Sequence, residues 1–186
     1  MAKDLSLQTY PKNYVVLDIE TTGLSPQTNE IIELSAIKII DGEIKEQFSK
    51  LIKPKSYVSS HISSLTGITN EMLQDAPQIE KVLVEFKHFC SDSIVLGHNI
   101  NFDISFINAK LKECYDETFN NDYVDTLQIA RKLLPQLPSK KLGQIAKYFK
   151  LNTDGMHRSL KDCMVTHQCY QRLIALNFEQ KSLITY

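Results

Sequence analysis

The stretch Tyr14-Val15-Val16-Leu17-Asp18-Ile19-Glu20-Thr21-Thr22-Gly23-Leu24-Ser25-Pro26 decides the fold. From Tyr14 to Ile19 it is too apolar for a strand with one wet face, so it reads as a central strand of a sheet covered on both sides. Side chains alternate along a strand, which sends Asp18 and Glu20 out of one face with Ile19 between them on the other. Thr21 to Pro26 then break the strand. The two carboxylates therefore sit at a strand end, where open α/β sheets form their ligand crevice.

Working outward, Glu30–Ile40 and Glu43–Ile52 flank Asp41-Gly42, a strong hairpin signal. A loop containing Pro54, Gly67 and Pro77 follows. Ile79, Val82, Leu83, Phe86 and Phe89 then recur at three- and four-residue spacings, which predicts a helix over Gln78–Cys90. Ser93–Leu96 and Tyr123–Val124 read as short strands, and Asn101–Glu113, Thr126–Leu134, Leu142–Phe149 and Ser159–Leu176 as helices, with Pro135 and Pro138 between two of them. Antiparallel strands followed by strand–helix alternation predict an α/β fold, a mixed β-sheet flanked by helices. No repeat or linker divides the chain, so residues 1–186 read as a single domain with a core at about 11–177 and loose ends at 1–10 and 178–186.

Three further acidic or histidine positions fall at the edges of these elements. Asp103 follows Gly97-His98-Asn99-Ile100-Asn101-Phe102 near a helix start, where an acid also suits the helix dipole. His157 and Asp162 open the last helix; five residues apart they cannot share a helical face, so His157 belongs to the entering loop and Asp162 to the first turn. Four acids and one histidine are the set that two-metal phosphodiester chemistry requires. Magnesium prefers carboxylate oxygens, and two ions about 3.5–4 Å apart can hold the attacking and leaving oxygens of an in-line displacement. A histidine can take the proton of the attacking water.

Composition narrows the classes. The chain has 186 residues, 42% of them hydrophobic, and a formal charge of −1, so no global positive field recruits a polyanion. The charge is uneven, however: from Arg131 to Lys161 eight basic residues face the single acid Asp154, a local net of +7. Part of this window is expected to flank the groove and contact phosphates. Cys90, Cys114, Cys163 and Cys169 form no Cys-x-x-Cys pattern, which argues against zinc, and Cys163 and Cys169 read as small hydrophobes. His88 and His167 read as surface or satisfied helix positions. No run is long enough for a membrane span, and the N-terminus lacks the order of a signal peptide, so a cytoplasmic location and no membrane partner are expected.

The segments Val16–Leu24, Gly97–Asp103 and His157–Asp162 resemble the three exonuclease motifs of the DnaQ-like family, in its branch with a histidine separated by four residues from the last aspartate. The resemblance extends from about residue 13 to 176, including Leu65–Leu73 and Asp125-Thr126-Leu127, and is nearest to the proofreading exonucleases of bacterial replicative polymerases. It implies a ribonuclease H-like fold and hydrolysis from the 3′ end, releasing nucleoside 5′-monophosphates. It also implies two divalent ions, Mg2+ or Mn2+, held by Asp18, Glu20 and Asp162, with Asp103 acting largely through waters and His157 as general base. Thr21, Thr22, Gly23 and Leu24 would contact and wedge the terminal nucleotide, and His98, Asn99 and Phe102 would line the same pocket. Gly97 stands where Ala is more usual, and Ser35 where Gly is. The implied partner is DNA with a single-stranded 3′ end, with RNA as the alternative, together with a DNA polymerase; no oligomeric state is implied. The competing readings are an exonuclease of RNA ends or short oligonucleotides, and a non-catalytic nucleic-acid or protein-binding module.

Overall fold

A computed structural model describes residues 2–184, the side chains of 181–184 excepted. Strands β1 (Tyr14–Thr21), β2 (Ile31–Ile40) and β3 (Glu43–Leu51) come first, then helices α1 (Ser60–Thr66), α2 (Asn70–Leu73) and α3 (Ile79–Cys90). They are followed by β4 (Val95–Gly97), α4 (Asn101–Tyr115), β5 (Tyr123–Asp125), α5 (Thr126–Leu133), α6 (Leu142–Tyr148) and α7 (Ser159–Ile184). The five strands form one sheet in the order β3-β2-β1-β4-β5, with β1 antiparallel to β2 and parallel to β4. This is the expected α/β fold with a mixed sheet. At the β2–β3 turn Asp41 and Gly42 both have positive φ, 52° and 81°, the geometry whose twist matches a hairpin and which glycine adopts without strain.

The alternation along β1 builds two cores. Val15, Leu17 and Ile19 pack with Val82, Leu83 and Phe86 of α3 and Phe106, Ile107 and Leu111 of α4. Tyr14 and Val16 face the other way, into a cluster with Ile129, Ala130, Ile145, Cys163, Cys169 and Leu173. All four cysteines are free, and Cys163 and Cys169 serve as core hydrophobes as expected. His167 is buried with its Nδ1 2.9 Å from the Tyr14 hydroxyl, a satisfied core histidine, and His88 is exposed.

Three sequence expectations need correction. The stretch expected as loop between β3 and α3 holds α1 and α2, capped by the side chains of Ser59 and Thr69, with Gly67 in the left-handed region ending α1. The expected loose N-terminus is tied down: Tyr123 N–H donates to Lys3 O at 2.9 Å and Leu5 N–H to Tyr123 O at 2.8 Å, extending the sheet at β5. At the other end α7 continues past Leu176 to Ile184, where Asn177 is still buried; Thr185 and Tyr186 lie outside the described residues. No helix of the described residues is long and apolar enough to cross a membrane.

Candidate active site

Asp18 and Glu20 continue the face of β1 that carries Tyr14 and Val16, so they emerge on the α7 side. Helix α7 begins at Ser159 and brings Asp162 to them within its first turn. One oxygen of each of these three carboxylates lies within 4.8 Å of the others. Asp103 arrives from the opposite layer, in the first turn of α4. Its Oδ1 accepts the N–H of Ile19 at 3.1 Å, so it lies against the end of β1. Asp103 and Asp162 are buried, whereas Asp18 and Glu20 are partly exposed.

Crowding buried acids raises their proton affinity. Asp18 is held well above the usual carboxylate range by burial and then by Asp103, Asp162, Glu20 and Glu33. Glu20 is pushed up to about 8 by burial and then by Asp162 and Glu33, with Arg158 opposing. Burial also raises Asp103 and Asp162, partly offset by the N–H groups that donate to each of them. One atom decides whether a cation fits. Asp162 Oδ2 accepts the His157 N–H at 3.3 Å, but Oδ1 is buried without any hydrogen-bond partner among the described residues. An anionic oxygen stripped of water and left without a donor is costly, and a hard divalent cation shared with the two neighbouring carboxylates satisfies it. The residues present fit such an ion.

The turn before α7 holds His157 with φ 69°, its side chain exposed beside the acids. This turn is anchored by a residue that sequence reasoning missed. Glu33, on β2 directly opposite Glu20, has a side chain only 2% exposed. It accepts Arg158 Nη2 at 2.6 Å, Arg158 Nε at 3.2 Å and the Ser159 N–H at 2.9 Å. Beside it, the Ser159 hydroxyl meets Ser35 Oγ at 2.7 Å, and Ser35 meets Ser49 at 2.9 Å. The serine at position 35 thus gives the start of α7 a second attachment to the sheet. The available signal was a lone charge in the apolar run Ile31–Ile37; its partner is 125 residues away.

After β1 the chain turns through the other expected contact residues. Thr21 Oγ1 donates to Gly23 O at 2.6 Å, and Thr22 exchanges hydrogen bonds of 2.9 Å with Glu30. A Cβ on Gly23 would lie 2.6 Å from Asn29 Nδ2, and Asn29 Oδ1 accepts the Ser25 N–H, so glycine lets this loop close. Leu24 projects at the tip, 85% exposed. Phe102 is half-buried, its ring 4.9 Å from that of Phe106.

His98 and Asn99 face a neighbouring groove. They line about 760 Å³ together with Leu127, Arg131, Lys140, Lys141 and the loop between, while Phe102 and the acids do not line it. This departs from the expectation of one shared pocket. His98 Nδ1 lies 2.9 Å from Thr126 Oγ1, and burial pulls its pKa down to about 4. Asn99, with φ 62°, donates its N–H to Asp125 Oδ1 at 2.9 Å, the same oxygen that caps α5 through Leu127 N–H at 2.8 Å. Asp125 therefore fixes the segment from which α4 and Asp103 start. Of the basic window, Arg131, Lys140 and Lys141 reach this groove, but the Lys140 ammonium also donates to the carbonyls of Pro135 and Leu137.

A family model described as Exonuclease matches residues 15–170. The chain belongs to the exonuclease family. Among its relatives, the DNA polymerase III subunit epsilon of Aquifex aeolicus (strain VF5) is 41% identical over 161 residues, covering 87% of this chain and 80% of that protein. The PolC-type DNA polymerase III of Thermotoga maritima is 42% identical over 163 residues, which is 88% of this chain but 12% of that much longer protein. Exonuclease X, solved in complex with 5′ overhanging duplex DNA, superposes with a TM-score of 0.67 at 26% identity, covering 89% of this chain and 92% of that one. Escherichia coli exonuclease I, in complex with a dT13 oligonucleotide, has the same fold at a TM-score of 0.76 and 18% identity, covering 95% of this chain and 43% of that one. The exonuclease is of the DnaQ-like, ribonuclease H-like type: a metal-dependent 3′→5′ exonuclease with its acidic cluster in place.

Proposed function

We propose that this exonuclease removes nucleotides from single-stranded 3′ ends of DNA, releasing nucleoside 5′-monophosphates, with Asp18, Glu20 and Asp162 as direct ligands of two divalent ions and Asp103 acting largely through waters. The observation that carries this reading is the cluster of three carboxylates within 4.8 Å of one another, one of which, Asp162, has an Oδ1 with no hydrogen-bond partner among the described residues. When bound, Mg2+ or Mn2+ supplies positive charge to the reacting phosphate and lowers the cost of the developing negative charge. His157, exposed at the mouth and tied to Asp162 only through its backbone, is the group free to take a proton from the attacking water. Leu24, Phe102 and the Thr21–Gly23 turn would receive the terminal base, and His98 and Asn99 with Arg131 and Lys141 would guide the strand behind it. DNA is favoured over RNA because the relatives are DNA polymerase III components and exonuclease X was solved with DNA. For the same reason a replicative DNA polymerase in the cytoplasm is the proposed partner.

The test is digestion of a 5′-labelled single-stranded DNA and a matched RNA with Mg2+ or Mn2+. A ladder shortening from the 3′ end, with the rate falling roughly 10²–10⁴-fold in His157→Ala, is expected. Faster cutting of the RNA would move the substrate to RNA ends, and absence of any ladder from folded protein would leave a binding module.

A further inference from the structure

Arg158 does two things at once. Its Nε and Nη2 are spent on Glu33, while Nη1 has no hydrogen-bond partner among the described residues and the side chain is 43% exposed. A guanidinium that served only to neutralise Glu33 could lie as deep as the carboxylate it pairs with. Here the carboxylate is buried and the cation stands at the surface, immediately beside His157 and on the turn that delivers Asp162. The planar fork, gripped along one edge, cannot swing; its other edge is aimed by the protein rather than by solvent, which is how arginine recognises phosphate. Beside Glu20, on the rim of a cluster made otherwise of carboxyl groups, it is the fixed positive group that an incoming phosphodiester meets. Arg158 also opposes the proton affinity of Glu20, consistent with its lying within electrostatic reach of the cluster.

We infer that Arg158 binds the reacting phosphate, the group that leaves as the 5′-phosphate of the released nucleotide, and that buried Glu33 and the Ser159 N–H it accepts hold the guanidinium in that pose. This rests on the exonuclease reading above and adds a phosphate-recognition residue to it. It separates two roles within one short turn: His157 handles the water, Arg158 the phosphate, and Glu33 is a positioning residue that touches neither.

The test compares binding of dTMP and thymidine, with Mn2+ present, to the wild-type protein and to Arg158→Gln, Arg158→Lys and Glu33→Gln. The wild type is expected to prefer dTMP. Arg158→Gln should weaken dTMP about tenfold, the usual yield of one charge-assisted hydrogen bond, and leave thymidine unchanged. Arg158→Lys should recover part of the preference, and Glu33→Gln should lose part of it. The Mn2+-induced rise in Tm should persist in Arg158→Gln, because the carboxylate cluster is intact. If Arg158→Gln binds dTMP as the wild type does, if the wild type ignores the phosphate, or if the Mn2+ response disappears together with dTMP affinity, the inference is overturned; the last result would make the pair a support for Asp162 alone. Should Arg158→Gln fail to fold with Glu33 left unpaired, Glu33→Gln/Arg158→Gln removes both charges and is measured in the same way. Failure of the exonuclease reading is seen separately, as a wild-type protein that shortens no strand.

Discussion

Replacing Glu20 by Gln should make the metal-free protein more stable at alkaline pH, an unusual outcome for an active-site substitution. Glu20 has a pKa moved from 4.5 to about 8 in the folded protein. Below pH 4.5 the carboxyl is protonated whether the chain is folded or not, and nothing is lost. As pH rises the unfolded chain releases the proton while the folded one keeps it, so folding stability falls until the folded group ionises near pH 8. Burial is the larger cause of this shift and repulsion adds to it; for scale, unit charges 4.8 Å apart repel by about 3.5 kcal/mol at an effective dielectric near 20. The shift in proton affinity points to the same range, roughly 3–5 kcal/mol at about 1.4 kcal/mol per pH unit. For a chain of 186 residues, at 2–4 °C per kcal/mol, this is on the order of 10 °C in Tm. Calorimetry in EDTA from pH 4.5 to 8.5 should show the wild type losing Tm steadily, Glu20→Gln losing much less, and the two curves meeting at the acid end. Asp18 keeps some slope in the variant, since its carboxyl is raised too. Curves that run parallel across the whole range would refute the reasoning, because they would mean that Glu20 ionises freely in the empty site.

Asp18 shares the cluster with Glu20 and Asp162 and feels all of its other acids, so millimolar Mg2+ or Mn2+ should raise the wild-type Tm and Asp18→Ala should abolish the increase; an undiminished rise would place the ions elsewhere. Reversing Arg131 and Lys141 to Glu should weaken single-stranded DNA binding and reduce the slope of log affinity against log salt by about 0.7 for each lost phosphate contact, while an unchanged slope would take the strand out of that groove.

The β1 strand, its carboxylate pair, the Asp41-Gly42 hairpin and the placement of His157 and Asp162 around the start of α7 were legible in the sequence, because each depends on local periodicity or a local stop signal. The short helices α1 and α2 lacked an apolar stripe long enough to show, although their Ser59 and Thr69 caps and Gly67 were the usual helix-end signals. The pairing of Glu33 with Arg158 was beyond reach for a different reason. Strand alternation says which face a residue takes but nothing of what crosses to meet it, and this contact joins β2 to the entry of α7 over 125 positions. The same holds for Asp125, which caps α5 locally but whose second hydrogen bond, to Asn99, exists only once β4 and β5 pair. His98 was expected to line the pocket of the terminal nucleotide, whereas it opens into a groove shared with the loop before α6, a neighbour that local sequence does not reveal.

The bond between Ile19 N–H and Asp103 changes how a mutational scan of the four acids must be designed. β4 pairs with Val15 and Val16 and then ends, so the margin of β1 that carries Asp18 and Glu20 is finished on that side by a side chain instead of a strand. Truncating Asp103 to Ala would unlock the backbone on which two of the other acids are mounted, and lost activity would then report on their displacement as much as on the missing charge. Asn keeps an acceptor for Ile19 and isolates the charge. For Asp162, whose Oδ1 has no partner among the described residues, no such confusion arises with that oxygen. In this architecture one acid of the set doubles as carpentry, and comparing the two substitutions at position 103 measures each of its jobs alone.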